Sequence, residues 1–333
     1  MNKLLVLLFL TATIYTTAQQ KPVIPVGAVF ERRQTPVHDP VLIKEGETFY
    51  LFCTGAGISV FSSKDTKSWT KEKPVFERAP EWTLKIYPEF KGYIWAPDIS
   101  FHNGLYYLYY SVSSFGTNSS SIGVAFNKTL DKSSPDFGWT DKGKVLQSVP
   151  NRDMWNAIDP NLIVDEKRIP WLSFGSFWEG IKLVKLEADF LRVAEPQIWH
   201  SLARRKRDDI HPDSAPGNGA VEAPFIFKKG SFYYLFVSVD YCCRGEKSDY
   251  KIVVGRSEKL TGPYFDKEEK DLFYGGGSLV RQGDKNWFGV GHNAVYQAGG
   301  KDYLIYHGYD AADKGKSKLL IEELFWTPDG WLK

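Results

Sequence analysis

The sequence is poor in cysteine: among its 333 residues only Cys53, Cys242 and Cys243 carry a thiol. An exported protein held together by disulfides would carry more cysteines, so the stability of this chain must come from its hydrophobic core. The adjacent Cys242 and Cys243 can form a vicinal disulfide, remain two packed thiols, or leave one of them bridged to Cys53. The sequence leaves these three alternatives open.

The sequence also lacks an excess of charge of either sign. Lys and Arg number 42 and Asp and Glu number 40, so the formal net charge is +2. This balance removes the electrostatic basis for nucleic acid as the main partner, and it provides no basic surface for anionic lipid. The contents of 43% hydrophobic and 25% charged residues exclude disorder as a description of the whole chain.

Long apolar runs are absent except near the first residue. There, Lys3 precedes an apolar run from Leu4 to Leu10, and Thr16-Thr17-Ala18 offers small residues for cleavage. This pattern predicts a secretory signal peptide over residues 1–18. A membrane anchor is the alternative, but the run is short for a membrane span and threonines interrupt it. We expect a secreted protein, periplasmic or extracellular, in which residues 19–333 form a single domain without a membrane segment.

Aromatic residues are abundant, with 22 Phe, 18 Tyr and 11 Trp, and the chain also has 29 Gly and 18 Pro. This composition favours short strands and many turns over helices.

One pattern occurs five times along the chain: a proline, apolar residues, a polar turn, and then a run of aromatic and aliphatic residues. The segments are HDPVLIKEGETFYLFCT from His38, WAPDISFHNGLYYLYYS from Trp95, IDPNLIVDEKRIPWLSF from Ile158, EAPFIFKKGSFYYLFVS from Glu222, and GHNAVYQAGGKDYLIYH from Gly291. The prolines and the equivalent asparagine of the last segment are Pro40, Pro97, Pro160, Pro224 and Asn293.

Each repeat predicts a strand, a tight turn and a second strand that is buried on both faces. Further strands follow in most units, and the unit length fits four-stranded sheets. Five such units packed radially make an all-β, five-bladed β-propeller. A β-sandwich would also contain many short strands, but it does not predict five similar units.

Three carboxylates lie at the start of three different repeats. In a propeller the first strand of each blade lines the central channel, so Asp39, Asp159 and Glu222 should point into one cavity. Carboxylates that share a cleft shift each other's pKa values apart, so that one stays ionised as a base and another is held protonated as an acid. Hydrolysis of a glycosidic bond needs such a pair. The alternative is that these Asp-Pro pairs only form turns.

Aromatic side chains cluster near the same strand ends, and flat rings at a cavity mouth suit the C–H faces of sugars. They are Trp95, Phe115, Trp155, Phe177 and Trp178, of which Trp155 and Trp178 stand in polar stretches. His292 occupies, in the fifth repeat, the position that Asp39 and Asp159 hold in theirs. No zinc spacing or Ser-His-Asp motif is visible.

Together these residues resemble the arabinan-degrading members of glycoside hydrolase family 43, in particular endo-1,5-α-L-arabinanases. The resemblance runs from about Val37 to Trp331 and rests on VHDPVLIKEG, WNAIDPNL, SFGSFWEG, VEAPFIF, DYCCRG, VGHNAVY and YHGYDA. It implies a five-bladed propeller and hydrolysis with inversion at the anomeric carbon. The expected substrates are arabinan and arabino-oligosaccharides, and we expect a monomer.

The resemblance also implies roles for individual residues. Asp39 matches the general base, Glu222 the general acid, and Asp159 the third carboxylate, which orients the acid and keeps its pKa raised. Because inversion needs a water molecule between base and sugar, the carboxyls of Asp39 and Glu222 should lie about 6.5–9.5 Å apart. The implied substrate-binding residues are His38, Trp95, Phe115, Gly116, Asn156, Ser176, Phe177 and Trp178.

A metal, usually calcium, is implied beside His292. Calcium prefers oxygen ligands, so the ion would be held mostly by water, with His292 as the one direct protein contact. Rival interpretations are an exo-acting arabinosidase or β-xylosidase on the same scaffold, a sugar-binding propeller without catalysis, and a protein-interaction propeller. We expect an endo-arabinanase.

Overall fold

The computed structural model describes residues 24–333 of the chain. The predicted signal peptide, residues 1–18, lies outside the described residues. Within them, five antiparallel sheets follow one another along the sequence and form the five blades of an all-β propeller, which confirms the predicted fold. No helix in this part of the chain is both long and apolar enough for a membrane crossing.

The first two blades contain the first ten strands. These are β1 (Val29–Glu31), β2 (Val41–Glu45), β3 (Thr48–Cys53), β4 (Gly55–Ala56), β5 (Ser59–Ser63), β6 (Ser68–Glu72), β7 (Tyr93–His102), β8 (Leu105–Val112), β9 (Ser120–Asn127) and β10 (Thr140–Ser148). Blade 1 has the order β1-β6-β5-β3-β2, and blade 2 has the order β10-β9-β8-β7-β4. The short β4 leaves blade 1 and pairs with β7, so it ties the two blades together.

The remaining strands form three smaller blades. They are β11 (Asn161–Val164), β12 (Pro170–Phe174), β13 (Ile181–Lys185) and β14 (Trp199–Ala203) in blade 3; β15 (Val221–Lys229), β16 (Phe232–Val239), β17 (Lys251–Ser257) and β18 (Ser278–Arg281) in blade 4; and β19 (Trp287–Ala298), β20 (Lys301–Asp310) and β21 (Lys316–Leu324) in blade 5. One α-helix, α1 (Glu81–Ile86), and four 3₁₀ turns, Arg32–Gln34, Gly245–Lys247, Leu272–Tyr274 and Ala311–Asp313, complete the described elements.

The five repeats of the sequence are the five inner hairpins, β2–β3, β7–β8, β11–β12, β15–β16 and β19–β20. The expected number of strands was four in each blade. The sheets of blades 1 to 5 contain five, five, four, four and three strands, respectively. Blade 5 is short because its outer strand β21 meets the segment that follows β1. There the amide of Leu319 donates to the carbonyl of Thr35 at 3.0 Å, so the beginning of the propeller closes onto its end.

The hydrophobic core consists of five clusters, one between each pair of neighbouring blades. Strand β8 shows how the sequence builds them: Tyr106, Leu108 and Tyr110 pack against blade 1, whereas Tyr107 and Tyr109 pack against blade 3. Successive side chains of a strand point to opposite faces, so a strand between two blades needs apolar residues at every position. This explains why the aromatic runs alternate so weakly.

The three alternatives for the cysteines are resolved in favour of a vicinal disulfide. Cys242 and Cys243 are bonded to each other. Cys53, at the end of β3, is 1% exposed and carries a free thiol within the described residues.

Candidate active site

One residue of each repeat has a left-handed backbone at the propeller axis. These residues directly precede the column of prolines, and their φ angles lie between 42° and 57°: Asp39, Ala96, Asp159, Ala223 and His292. The inner strands of blades 2, 4 and 5 are irregular at this point, with a register shift across the residue concerned. A left-handed backbone costs a residue with a Cβ about 1–2 kcal/mol, so other contacts must hold these five positions.

In four blades that contact is a hydrogen bond from the backbone amide to a side chain of the preceding blade. The amides of Ala96, Asp159, His292 and Asp39 donate to Thr54 Oγ1 at 2.8 Å, Ser111 Oγ at 3.0 Å, Ser238 Oγ at 2.8 Å and His307 Nδ1 at 3.2 Å, respectively. Each acceptor is the last residue of a repeated segment. The blades are therefore joined at the axis by side chains at equivalent positions.

Blade 3 breaks this pattern. In this blade the position equivalent to the acceptors is that of Gly175, the residue after the repeated segment. Gly175 has no side chain that could accept the amide of Ala223. The carboxylate of Asp159 takes over, and its Oδ2 accepts the Ala223 amide at 3.0 Å. Because Ala223 follows Glu222 directly, Asp159 holds the backbone that carries the predicted general acid.

The carboxylate of Asp39 lies among four partners. Its Oδ1 is 2.9 Å from His38 Nδ1 and 3.1 Å from His292 Nδ1, and its Oδ2 accepts the hydroxyl of Thr54 at 2.5 Å. His307 Nδ1 is 3.7 Å from Oδ1. Burial raises the pKa of Asp39, but the imidazoles of His292 and His38 outweigh it and hold the pKa well below its usual range. Asp39 is therefore ionised at neutral pH.

Glu222 and Asp159 show the opposite shift. Burial raises the pKa of Glu222, although hydroxyls donate to both its oxygens, from Tyr250 at 2.8 Å and from Ser176 at 2.9 Å. Burial also raises the pKa of Asp159, to about 8; His292 opposes this shift, and the negative charge of Glu222 adds to it. The two acids interact, so they hold a proton between them in neutral solution.

His292 is the cation of this group. Burial lowers its pKa, but the surrounding carboxylates, Asp39 first, raise it to about 9. The positive charge of His292 keeps Asp39 ionised, whereas Asp159 and Glu222 share a proton. One carboxylate of the site can therefore accept a proton while another can donate one. The structure places Asp39, Asp159 and Glu222 at one axis, and their roles as base and acids stay predictions.

The predicted substrate-binding residues take different positions. His38 and Ser176 contact Asp39 and Glu222 directly. Phe115 is 82% exposed in a turn between β8 and β9, next to Gly116, whose φ of 78° is easily adopted only by glycine. Trp95 is half-buried in β7, directly before Ala96.

Asn156 and Phe177 are less accessible than Phe115. Asn156 is buried, and its Oδ1 has no hydrogen-bond partner in the part of the chain that the structure describes. Such an atom normally bonds to water or to a ligand. Phe177 is half-buried and lies 6.1 Å from the ring of Tyr241.

Trp178 and Trp155 serve the packing of the site instead. The indole of Trp178 is 1% exposed, and its Nε1 donates to the carbonyl of Asp213 at 2.7 Å. With so little free surface, the ring anchors a loop and has no open face for a sugar. Trp155 packs against Phe174 and Trp199, with ring centroids 5.5 and 5.3 Å apart.

Several residues of the site were missed by the sequence analysis. Thr54, Ser111, Ser238 and His307 had a visible signal, because each ends a repeated segment, but their hydrogen bonds depend on the next blade. Tyr250, which binds Glu222, has no signal of its own. Its ring lies against Gly291, where an added Cβ would come within 2.0 Å of the ring.

The donor atoms around Asp39 do not fit a directly coordinated calcium ion. His38, Asp39 and His307 offer atoms within 4.8 Å of one another, but two of the three are imidazoles, whereas calcium prefers oxygen. The Nδ1 of His292 is paired with Asp39, and its Nε2 makes no hydrogen bond to any residue in 24–333. A water-coordinated calcium ion beside His292 stays a prediction.

Comparison with known proteins gives a consistent family. Residues 33–332 match the family described as glycosyl hydrolases family 43. The chain is 53% identical over 299 residues to the extracellular exo-alpha-(1->5)-L-arabinofuranosidase ArbA of Cellvibrio japonicus, covering 90% of this chain and 86% of that protein. It is 42% identical over 300 residues to the extracellular endo-alpha-(1->5)-L-arabinanase 1 of Bacillus subtilis, covering 89% and 86%.

A similar solved structure is that of Cellvibrio cellulosa alpha-L-arabinanase complexed with arabinohexaose. Its TM-score is 0.88 at 52% sequence identity, and the match covers 90% of this chain and 95% of that one.

The amide contacts at the axis give a prediction for stability. Ser111→Ala leaves the buried amide of Asp159 without its acceptor and should lower the free energy of unfolding by about 1–3 kcal/mol. The matched control is Ser173→Ala, also 0% exposed, whose hydroxyl has only contacts of 3.4 Å to Asn161. Urea denaturation of both variants measures the difference, and equal losses would contradict the role assigned to Ser111.

Proposed function

Because the chain belongs to glycosyl hydrolase family 43, we propose that it hydrolyses the α-1,5 bonds between L-arabinofuranosyl units of arabinan, with inversion. The observation that carries this proposal is the opposite shift of pKa among three carboxylates at one axis. The pKa of the buried Asp39 is lowered, whereas those of the buried Asp159 and the half-buried Glu222 are raised. Hydrolysis with inversion needs a base and an acid in one site, and at neutral pH Asp39 can act as the base and Glu222 as the acid.

The proposed reaction is a single displacement. Asp39 accepts a proton from a water molecule, whose oxygen attacks the anomeric carbon. Glu222 gives its proton to the departing glycosidic oxygen, so that the bond breaks and a neutral alcohol leaves. Asp39 is then protonated and Glu222 ionised, and exchange with solvent restores both. Asp159 holds the backbone beside Glu222 through the amide of Ala223. When the proton that the two acids share lies on Glu222, Asp159 is ionised, and its charge opposes ionisation of Glu222.

The substrate follows from the relatives and from the surroundings of the site. The names of two relatives state action on α-1,5-linked L-arabinose polymers or units, and the solved arabinanase holds arabinohexaose. A formal net charge of +2 spread over 333 residues suits a neutral polysaccharide. The exposed ring of Phe115 offers an apolar face for the C–H groups of a furanose.

Two modes of action are open on this scaffold. The sequence motifs predict endo action, and the relative at 42% identity is named an endo-arabinanase. The relative at 53% identity is named an exo-arabinofuranosidase, which supports release of units from a chain end as the second candidate. Secretion is supported by the word extracellular in both names. A monomer and removal of residues 1–18 stay predictions.

Incubation of the purified protein with linear 1,5-arabinan, and separately with xylan, tests the proposal. We expect mixed short arabino-oligosaccharides to appear early, since endo action cuts within the polymer. Release of only one short product from the chain ends would instead establish exo action. Product sizes are followed by chromatography over time, and anomeric configuration by NMR. Absence of any product from arabinan would contradict the substrate.

Glu222→Gln is the control in the same assay. It keeps the size and hydrogen-bonding shape of the side chain but removes the proton donor, and loss of an acid catalyst typically costs about 10²–10⁴-fold in rate. Retained binding of arabino-oligosaccharides with lost hydrolysis supports the enzyme over a sugar-binding propeller. Undiminished hydrolysis would rule out Glu222 as the acid.

The pKa shifts predict the pH dependence of hydrolysis. Activity needs Asp39 ionised and Glu222 protonated, so it should begin at acid pH and fall in the alkaline range, as the pair of Glu222 and Asp159 loses its proton. Asp159→Asn removes the acid with which Glu222 shares its proton. The negative charge that Asp159 carries while Glu222 is protonated is then lost, so the pKa of Glu222 should fall. The alkaline limb of kcat/KM should therefore move to lower pH.

Asp159→Ala separates the charge of Asp159 from its hydrogen bond. It removes the same charge as Asn but also the acceptor for the Ala223 amide, at a cost of about 1.4 kcal/mol, or about ten-fold in kcat. If the Asn and Ala variants have equal kcat values, Asp159 does not act through that hydrogen bond.

Calcium beside His292 is proposed as a water-coordinated ion that binds Nε2 after this nitrogen has released its proton, because an imidazolium cannot ligate a metal. Removal of bound metal with a chelator should then lower activity, and added calcium should restore it, whereas magnesium should not, since it demands a tighter octahedral site. Metal analysis of the purified protein provides an independent measurement. Full activity of metal-free protein would remove calcium from the proposal.

A further inference from the structure

A turn of blade 4 is connected through Tyr309 of blade 5 to the histidine beside the general base. The turn follows β16 and carries the Cys242–Cys243 disulfide. The amide of Cys243 donates to the hydroxyl of Tyr309 at 2.7 Å, and that hydroxyl lies 2.9 Å from His38 Nε2. Because His38 Nδ1 contacts Asp39, a continuous chain of hydrogen bonds joins the disulfide turn to the base.

The hydrogen bonds fix where each proton lies. The amide of Asp39 donates to Nδ1 of His307, so the proton of His307 is on Nε2, 3.3 Å from the hydroxyl of Tyr309. Burial holds the pKa of His307 well below its usual value, so this ring is neutral. The oxygen of Tyr309 thus accepts from His307 and from Cys243, and both its lone pairs are used.

The remaining hydrogen of Tyr309 must then point to His38. Its hydroxyl donates to Nε2 of His38, which leaves the proton of His38 on Nδ1, where it donates to Asp39 Oδ1. Without this donor, Nε2 could carry the proton itself, and Nδ1 would then present a lone pair to a carboxylate. The His38 ring also stacks on His307, with centroids 4.0 Å apart, so its plane is fixed as well.

We propose that Tyr309 is a positioning residue for the general base, and that the Cys242–Cys243 turn holds it in place. Tyr309 selects the form of His38 that donates to Asp39 and so fixes the orientation of the carboxylate toward water. This inference rests on the proposed function, since Asp39 is the base only if the protein is a hydrolase.

The disulfide suits the holding role. Cys243 has a φ of 65°, an uncommon angle for a residue with a side chain, and the small ring closed by two adjacent bonded cysteines restricts the backbone there. Cys243 is exposed, so a thiol reductant can reach it. Cys53 is buried, which raises its pKa to about 12, so thiol reagents applied to the folded protein report on Cys242 and Cys243.

Tyr309→Phe tests the proposal on linear arabino-oligosaccharides. The variant removes one hydroxyl, and we expect kcat to fall about ten-fold while KM changes less than about two-fold, because the loss concerns the reacting water and not substrate binding. The matched control is Tyr306→Phe on the same strand, whose buried hydroxyl bonds to Arg281 away from the axis. It should keep kcat within about two-fold. A similar loss in both variants would indicate a merely structural effect and overturn the proposal.

Reduction of the disulfide is the second measurement. Dithiothreitol supplies two electrons, which convert the S–S bond into two thiols that iodoacetamide then counts. Reduction should lower kcat of the unchanged protein about three-fold or more, but should not lower that of Tyr309→Phe further, since one chain of contacts carries both effects. Equal losses in the two proteins, or no loss in the unchanged protein, would overturn the role of the turn.

The outcome also separates this inference from the proposed function. A protein that hydrolyses arabino-oligosaccharides but is insensitive to Tyr309→Phe contradicts the positioning role alone. A protein that hydrolyses none of them contradicts the proposed function, and the positioning role falls with it.

Discussion

Each blade begins at the axis with one residue in a left-handed conformation, and the rest of the site depends on how that residue is held. Strain at Asp39, Asp159 and His292 turns three chemically useful side chains toward one another. The strain is tolerated because hydroxyls and an imidazole of the preceding blades accept the amides concerned. The five hydrophobic clusters between the blades keep these donors and acceptors in register. The geometry of the site is therefore a property of the closed ring, and no single blade could provide it.

A single cation organises the charges inside that ring. His292 lies 3.1 Å from Asp39, and the same positive charge opposes the raised pKa values of Asp159 and Glu222. The pKa of Asp39 is the one that is lowered, because Asp39 also bonds to His38 and Thr54 and these contacts help to outweigh burial. At Asp159 and Glu222 burial prevails and the pKa values are raised. Burying an isolated charge costs free energy, and burying three ionised carboxylates with only one imidazolium would cost still more. The state in which Asp159 and Glu222 share one proton costs less, and it is also the state that acid catalysis needs.

The sequence predicted the fold and the meeting of the three carboxylates because both depend on a repeat that can be aligned. Pro40, Pro97, Pro160 and Pro224 mark the register, and Asp39, Asp159 and His292 follow from it. The features that were missed depend on contacts between blades or on departures from the repeat. Gly175 matters only because Asp159 fills the place of the absent side chain, and Tyr250 reaches Glu222 only because Gly291 has no Cβ. The burial of Trp178 is of the same kind, since a distant loop covers its ring.

That loop shows how a surface segment contributes to the acid. The loop begins with the basic run from Arg204 to Arg207, of which Arg207 donates to the carbonyls of His211, Pro212 and Ala215. These bonds fold residues 204–220 back onto the propeller, where the carbonyl of Asp213 meets Trp178. The chain then enters β15 at Val221, one residue before Glu222, and the amide of Phe177 donates to the carbonyl of Val221 at 2.9 Å. Glu222 is thus held from both sides, by Asp159 through Ala223 and by Phe177 through Val221, and the loop covers Trp178, the residue next to Phe177. A proton donor needs such restraint, because its catalytic value depends on a fixed distance to the leaving oxygen more than on its acidity alone.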